Sequence, residues 1–401
     1  MTDLSTIAVR TGIETDTQHG AITPPIYLSS NYSFEGFGKP RQYDYARSGN
    51  PSRAGLEGAL AELERGAGAT VTSSGMSAVS LPLQLLQPGD VLIAPHDCYG
   101  GTYRLFTNLA ARGQFELLYV DQTDEAALAA AFEKNPKMLW IESPSNPLLR
   151  VVDIVKLSNL AKENDCLTVV DNTFLSPAQQ LPLELGADIV VHSTTKYING
   201  HSDVVGGGVI AKEPALAEKL AWWGNCLGIT GSPFDSFMTL RGLRTLPVRI
   251  RQHQENTSQI VAFLDEHPGV EAIYYPGLVT HPQHEIAKKQ QSGFGAIVSF
   301  KLDESKYDVA RFLEQLELFS LAESLGGVES LICHPATMTH AAMDEPAQLR
   351  AGITGNLIRV SVGIELADDL LHDLQHSLEL ASLSHPQSED QRNEEAAYEP
   401  C

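Results

Sequence analysis

Between about residues 61 and 245 the chain alternates short apolar runs with helical patterns, and this alternation constrains the fold more than any other feature. The expected strands are 69–73, 91–94, 117–120, 138–142, 167–171, 189–192 and 208–211, with helices over 124–134 and 152–164 among the intervals. Strands separated by helices build an α/β domain on a mainly parallel sheet. In such sheets ligands bind beyond the carboxyl ends of the strands. Two of the runs end abruptly in polar residues. Leu167-Thr168-Val169-Val170-Asp171-Asn172-Thr173 delivers a carboxylate at its tip. Ile189-Val190-Val191-His192-Ser193-Thr194-Thr195-Lys196-Tyr197 delivers a lysine behind small hydroxyl residues.

The remainder is organised around that domain, with no internal repeat. Residues 1–60 read as an arm, because Thr23-Pro24-Pro25-Ile26 and Gly49-Asn50-Pro51 interrupt regular structure. The large domain covers 61–245. From 246 the pattern changes to a long helix followed by strands at 296–300 and 357–362, a smaller α+β domain that ends at 383. Residues 384–401 are polar and acidic with two prolines, and a disordered tail is expected there.

Composition narrows the classes. A 401-residue chain that is 43% hydrophobic and 19% charged is expected to be globular and soluble. No apolar run approaches the ~18 residues that span a bilayer. The opening Met1-Thr2-Asp3-Leu4-Ser5-Thr6 lacks the basic-then-apolar pattern of an export signal. Five scattered cysteines form no CxxC pair, which argues against a disulfide framework and a cysteine zinc site. His281, His284, His334 and His340 lack the acidic and helical context of a metal site, so no metal is expected. A reduced, cytoplasmic protein follows as the expectation. Lysine and arginine total 28 against 50 acidic residues, a net charge of −22 that repels nucleic acid and anionic membrane. The few arginines therefore become informative by position.

Taken singly, the motifs have bland readings. A lysine after a strand is usually a surface residue, and an aspartate there is usually a turn or cap. Jointly, Asp171 and Lys196 at neighbouring strand ends suit pyridoxal phosphate. The lysine holds the cofactor covalently and the carboxylate keeps the ring nitrogen protonated. Ser193 and Thr195 suit its phosphate. Thr72-Ser73-Ser74-Gly75-Met76-Ser77-Ala78 is either a plain strand-to-helix turn or a phosphate-binding one, where Gly75 admits backbone N–H groups to an anion. Tyr99, in His96-Asp97-Cys98-Tyr99-Gly100-Gly101-Thr102-Tyr103-Arg104, either stacks on a pyridine ring or packs in the core. Cys98 has no base near it in sequence and reads as structural. Arg359 sits inside the expected strand 357–362, where a buried guanidinium needs either a substrate carboxylate or a structural ion pair. Tyr45 and Arg47, taken alone, are an exposed loop.

The chain resembles the cystathionine γ-synthase branch of the Cys/Met-metabolism pyridoxal phosphate enzymes over nearly all of residues 5–383. The resemblance rests on Tyr45-Ala46-Arg47 with Gly49-Asn50-Pro51, Ser74-Gly75-Met76, Val170-Asp171-Asn172-Thr173 and His192-Ser193-Thr194-Thr195-Lys196-Tyr197. It extends to Ser143-Pro144-Ser145-Asn146-Pro147 and to Ser324-Leu325-Gly326-Gly327-Val328-Glu329-Ser330. It implies the fold type I of pyridoxal phosphate-dependent transferases, aspartate aminotransferase-like, assembled as a homotetramer of two active dimers. Tyr45 and Arg47 would then reach the neighbour's cofactor phosphate, completing a cup made by Gly75, Met76, Ser193 and Thr195. Tyr99 would cover the ring, Asp171 would meet its nitrogen, and Lys196 would bear the cofactor. Arg359, with Asn146 and Ser324, would hold the α-carboxylate of an amino-acid substrate.

Within the family, Arg104 and Glu323 carry the branch. Arg104 suits the distal carboxylate of a succinylated homoserine and Glu323 the ammonium of cysteine. The implied reaction is γ-replacement in methionine biosynthesis, giving L,L-cystathionine and succinate from O-succinyl-L-homoserine and L-cysteine. Acetyl is the main competitor for the acyl group. Cystathionine and methionine lyases share the machinery, although methionine γ-lyases typically carry a cysteine near position 101, where Gly101 stands. A non-catalytic binding protein on this scaffold is the distant alternative.

Overall fold

The computed structural model describes residues 2–341 and 343–384. The acidic tail expected over 384–401 therefore lies outside the described residues except for Ser384.

Seven strands build the large sheet: β1 (Gly68–Thr72), β2 (Val91–Pro95), β3 (Glu116–Val120), β4 (Met138–Glu142), β5 (Leu167–Asp171), β6 (Ile189–His192) and β7 (Gly207–Ala211). Their spatial order is β1-β7-β6-β5-β4-β2-β3. Every pairing is parallel except the two made by β7. The central strands are apolar throughout because both faces are covered. Alternation sorts their side chains into two cores. Leu139, Ile141, Val170 and Val190 pack with Leu60 and Leu63 of helix Pro51–Glu64 and with Leu157 of helix Ile154–Glu163. Met138, Trp140, Val169 and Val191 face the other way, against Ala78 of helix Gly75–Ser80 and Phe106 of helix Gly100–Ala111. Each fully buried large side chain contributes roughly 2–3 kcal/mol of transfer free energy, so the polar tips at the strand ends are held by a rigid slab.

A second sheet comprises β8 (Val270–Tyr274), β9 (Ile297–Leu302), β10 (Ser320–Leu321), β11 (Leu331–Cys333) and β12 (Leu357–Ser361), in the order β10-β11-β12-β9-β8. It is antiparallel apart from β10 with β11. The 21-residue helix Leu246–Glu266 links the two sheets. Its Leu246 and Ile250 pack with Tyr197, just after Lys196, whereas Ile260 and Leu264 enter the core under the second sheet. The architecture is the expected α/β one: a mainly parallel sheet plus a smaller sheet domain.

The stretch read as an arm contains more helix than its prolines and glycines suggest. Pro51 begins helix Pro51–Glu64 instead of breaking one. At the first helical position the missing N–H costs no hydrogen bond, and the Asn50 side chain caps the N–H groups of Ser52 and Arg53. Among the described residues, no helix is long and apolar enough to cross a membrane.

Candidate active site

The carboxyl ends of β4, β5 and β6 meet at one cleft. Glu142 and Asp171 are register partners at the tips of β4 and β5, and Asp171 pairs with Val191 of β6. The loops beyond them are stitched together through Thr173. Asp171 Oδ1 accepts from Thr173 N at 3.0 Å and from Thr173 Oγ1 at 2.5 Å. Thr173 Oγ1 in turn accepts from Ser193 N at 2.9 Å. Three residues beyond Ser193, Lys196 Nζ donates to Ser324 Oγ at 2.6 Å. Ser324 belongs to the second sheet's side of the cleft and sits at φ +91°, a region that side chains seldom occupy. That conformation presents its hydroxyl to Lys196 and its carbonyl to Arg359, whose Nη2 donates to it at 2.8 Å.

The cleft has a volume of about 250 Å³. One wall is the β1-to-helix turn. The helix opens with Gly75 and Met76, first-turn positions whose amides have no intrahelical partner. A Cβ on Gly75 would lie 2.7 Å from Ser193 Cβ and Oγ, so the bare backbone leaves a cradle against the Ser193 loop. Thr195 Oγ1 accepts from Gly206 N at 3.0 Å, which fixes its position on the lining. The Tyr99 ring closes another side and is 40% exposed. Its backbone N–H donates to Glu142 Oε2 at 2.9 Å. A Cβ at Gly101 would come within 2.5 Å of that ring and 3.0 Å of Met76 Sδ, so the bare glycine lets both side chains sit where they do.

On the opposite wall, Arg359 of β12 donates from Nη1 to Asn146 Oδ1 at 3.0 Å. Its Nε is buried and, among the described residues, unpartnered. None of the ion pairs among the described residues engages this guanidinium. A buried cation without an ion-pair partner among the described residues suits an incoming carboxylate.

Burial, helped by Arg359 and opposed by Glu323 and Cys333, lowers the Lys196 pKa to about 8. The amine is thereby brought within range of the neutral form that acts as nucleophile or base. Burial raises the Asp171 carboxyl, against the hydrogen bonds from Thr173 and the attraction of His192. Glu142 is driven well above the ordinary carboxylate range by burial and by Asp171 beside it. A cation placed at Asp171 would favour its ionised form. Burial also lifts the Tyr99 phenol, assisted by Glu323 and opposed by Arg104 and Arg359. Cys98 is buried, and burial pushes its thiol well up, in keeping with a structural residue.

Of the residues singled out from the sequence, Gly75, Met76, Tyr99, Asn146, Asp171 and Ser193 line the cleft, and so do Thr195, Lys196, Glu323, Ser324 and Arg359. Three do not. Arg104 is exposed on helix Gly100–Ala111, close enough to act electrostatically on Tyr99. Tyr45 is 49% exposed, and Arg47 stands over its ring while donating to the Asn225 carbonyl at 2.8 Å. Sequence reasoning missed Glu142, Thr173, Phe174 and Thr339 on the lining. Thr173 lay inside a motif already noted. Glu142 had the same strand-end signal as Asp171, but only the sheet order makes them neighbours.

The glycine cradle, the depressed amine and a buried carboxylate are the groups that a phosphorylated pyridine aldehyde would use, and the residues present fit it. The class is that of the Cys/Met metabolism PLP-dependent enzymes: the family pattern matches residues 5–379, and the chain belongs to that family, with pyridoxal phosphate as cofactor. More narrowly, it is 56% identical to a cystathionine γ-synthase of Escherichia coli (strain K12), over 94% of this chain and 98% of that one. It is also 48% identical to a cystathionine β-lyase of Coxiella burnetii, over 94% and 97%. The solved cystathionine γ-synthase of Xanthomonas oryzae pv. oryzae in complex with cystathionine has a TM-score of 0.94 at 58% identity, covering 95% of this chain and 99% of that one. The expected fold type of pyridoxal phosphate-dependent transferases is thus the one found.

Proposed function

We propose that this chain catalyses γ-replacement, forming L,L-cystathionine and succinate from O-succinyl-L-homoserine and L-cysteine. The observation that carries the reading is that Glu323 and Arg359 line the same cleft as Lys196 and both act electrostatically on its amine. Arg359, with Asn146 and Ser324, takes the α-carboxylate of the bound amino acid. Glu323 adds a negative group suited to the ammonium of a second amino acid. Arg104, exposed on the helix that follows Tyr99 and electrostatically felt by its phenol, suits the succinyl carboxylate. Similarity to the γ-synthases supports the same branch.

In this reading Lys196 would carry the cofactor and Asp171 would face its ring nitrogen. Gly75, Met76, Ser193 and Thr195 would hold the phosphate, with Tyr45 and Arg47 contributed by a second copy of the chain. The cofactor, when bound, supplies an electron sink conjugated to the substrate Cα. Lys196, once released, takes the Cα proton at Nζ, which its depressed pKa permits; Lys196 or Tyr99 then assists loss of a proton from Cβ. Succinate departs from Cγ, the cysteine thiolate adds there, and the two protons taken earlier return to Cβ and Cα, which restores the proton acceptors for the next turnover. In the cofactor-free chain Ser324 Oγ accepts from the free Nζ. Positioned proton transfer of this kind contributes about two to four powers of ten in rate.

The alternative is a lyase of the same family, favoured by the similarity to the Coxiella burnetii β-lyase. Purified holoenzyme given O-succinyl-L-homoserine with and without L-cysteine separates the two. Cystathionine and succinate released in equal amounts are expected. Activity confined to cleaving cystathionine would transfer the assignment to the lyases, and a preference for O-acetyl-L-homoserine would change the acyl group.

A further inference from the structure

Two residues of the strand-end motifs, Asn172 and His192, stay out of the cleft. Asp171 and Val191 are register partners, so their successors Asn172 and His192 share the opposite face of the sheet. There both meet Glu64, the last residue of helix Pro51–Glu64. His192 Nε2 lies 2.6 Å from Glu64 Oε1, and Asn172 Nδ2 donates to the same oxygen at 3.0 Å. An oxygen already taking an amide proton is an acceptor, so Nε2 carries the hydrogen between His192 and Glu64. Both side chains are 0% exposed. Asn172 is held further by a reciprocal pair with Gln180: Nδ2 donates to the Gln180 carbonyl at 2.9 Å, and Oδ1 accepts from Gln180 Nε2 at 3.0 Å.

A fully buried carboxylate with no lysine or arginine bonded to it among the described residues is costly, and packing alone would be served better by apolar side chains. Its position explains it. Asn172 directly follows Asp171, so the Glu64 and Gln180 bonds fix the turn that aims the Asp171 carboxylate. His192 attracts that carboxylate's charge, together with the Thr173 hydrogen bonds, against burial. Glu142 and Cys98 are the further titratable groups in electrostatic contact with Asp171.

We propose that Glu64 is a positioning residue for Asp171: through Asn172 it sets the carboxylate's aim, and through His192 it supports its negative charge. The proposal rests on the reading that Asp171 faces the cofactor's ring nitrogen.

The test uses holoenzyme loaded with pyridoxal 5′-phosphate labelled with 15N in the ring, read by solid-state NMR, with the cofactor dissociation constant measured by dialysis. Glu64→Gln keeps the shape and the acceptor but removes the charge. His192→Gln keeps a donor near Nε2 without an ionisable ring. In both, the ring-nitrogen resonance should move part of the way toward the unprotonated pyridine, and the dissociation constant should rise about tenfold, as for loss of an outer-shell partner at metal sites. Asp171→Asn should move the resonance fully. If Asp171→Asn moves it and neither other variant does, Glu64 is merely structural and the proposal fails, even where cofactor affinity drops. If Asp171→Asn leaves the nitrogen protonated, the reading of Asp171 fails and takes this proposal with it. Should Glu64→Gln not fold, His192→Gln decides the matter alone.

Discussion

At the scale of a single residue, Lys196 shows function working against stability. Burial first, then Arg359, brings its pKa from 10.5 to about 8. The folded cofactor-free protein thus binds this proton less tightly than the unfolded chain does. The sign follows from linkage: the cost is fully present below pH 8 and disappears as pH rises from 8 to 10.5. Lys196→Met removes the buried ammonium at similar volume and forfeits the hydrogen bond to Ser324. The net gain for the cofactor-free protein at pH 7 should be about 2 kcal/mol, read from urea unfolding, and it should shrink toward zero at pH 10. Equal stability of the two proteins at both pH values would refute the assigned environment. The same substitution should lower turnover by at least about three powers of ten, and near-normal turnover would remove Lys196 from the chemistry.

At the scale of elements, the strand-to-helix turn at Gly75 and the helix Pro51–Glu64 respond oppositely to one added methyl group. Gly75→Ala drives a Cβ to 2.7 Å from Ser193 Cβ and 3.1 Å from Ser193 Cα, both anchored to the β6 loop. The phosphate cradle should narrow, raising the cofactor dissociation constant at least about tenfold while circular dichroism stays unchanged; unaltered affinity would mean that the phosphate sits elsewhere. Gly58, exposed mid-helix, has nothing within 4 Å of a built Cβ. Gly58→Ala should raise stability by about 0.5–1 kcal/mol through the unfolded chain's lost freedom. Asn50→Ala on the same helix should cost about 1–2 kcal/mol, because Asn50 caps two N–H groups and also donates to the Tyr27 carbonyl. Chemical denaturation reads both, and a stabilising Asn50→Ala would refute the cap.

These elements also mark what a sequence can and cannot disclose. β4, β5 and β6 run from Met138 to Glu142, Leu167 to Asp171 and Ile189 to His192, where the apolar runs begin and end, because strands buried on both faces have no polar phase to blur their limits. β10 spans only Ser320–Leu321, both exposed, and exists through pairing with β11. Asp171 and Lys196 were legible because their chemistry is distinctive at a strand tip. Glu142 was not, since a glutamate ending a strand acquires meaning only when the fold sets Asp171 beside it. Glu64 lies 128 positions from His192, and no local pattern announces that contact.

At the scale of the whole molecule, the arm is the part that a single copy leaves without a task. Arg53, buried in helix Pro51–Glu64, donates to the carbonyls of Ala46, Arg47 and Gly231, which pins the arm's backbone against the large domain. Tyr45 remains exposed, and Ile22, Leu28 and Phe37 stand in solvent at 60%, 71% and 107% exposure. Exposed apolar side chains gathered on one arm suit contact with another chain. The homotetramer of two active dimers, proposed on the family resemblance, would cover them and should give a mass in solution four times the 43.5 kDa of the chain. Light scattering checks the mass, but sharing of sites needs complementation. Lys196→Ala and Arg47→Ala each disable the site differently, one in the cleft and the other in the arm. If Arg47 serves the neighbouring site, a two-fold dimer of one variant with the other has one site carrying both defects and one carrying neither. Random reassembly makes half the dimers hybrid, so about a quarter of all sites regain full function. Mixing the two inactive proteins under dissociating conditions and restoring them should thus yield about a quarter of wild-type activity. A mixture no more active than its parents would place Arg47 at its own chain's site or outside catalysis altogether.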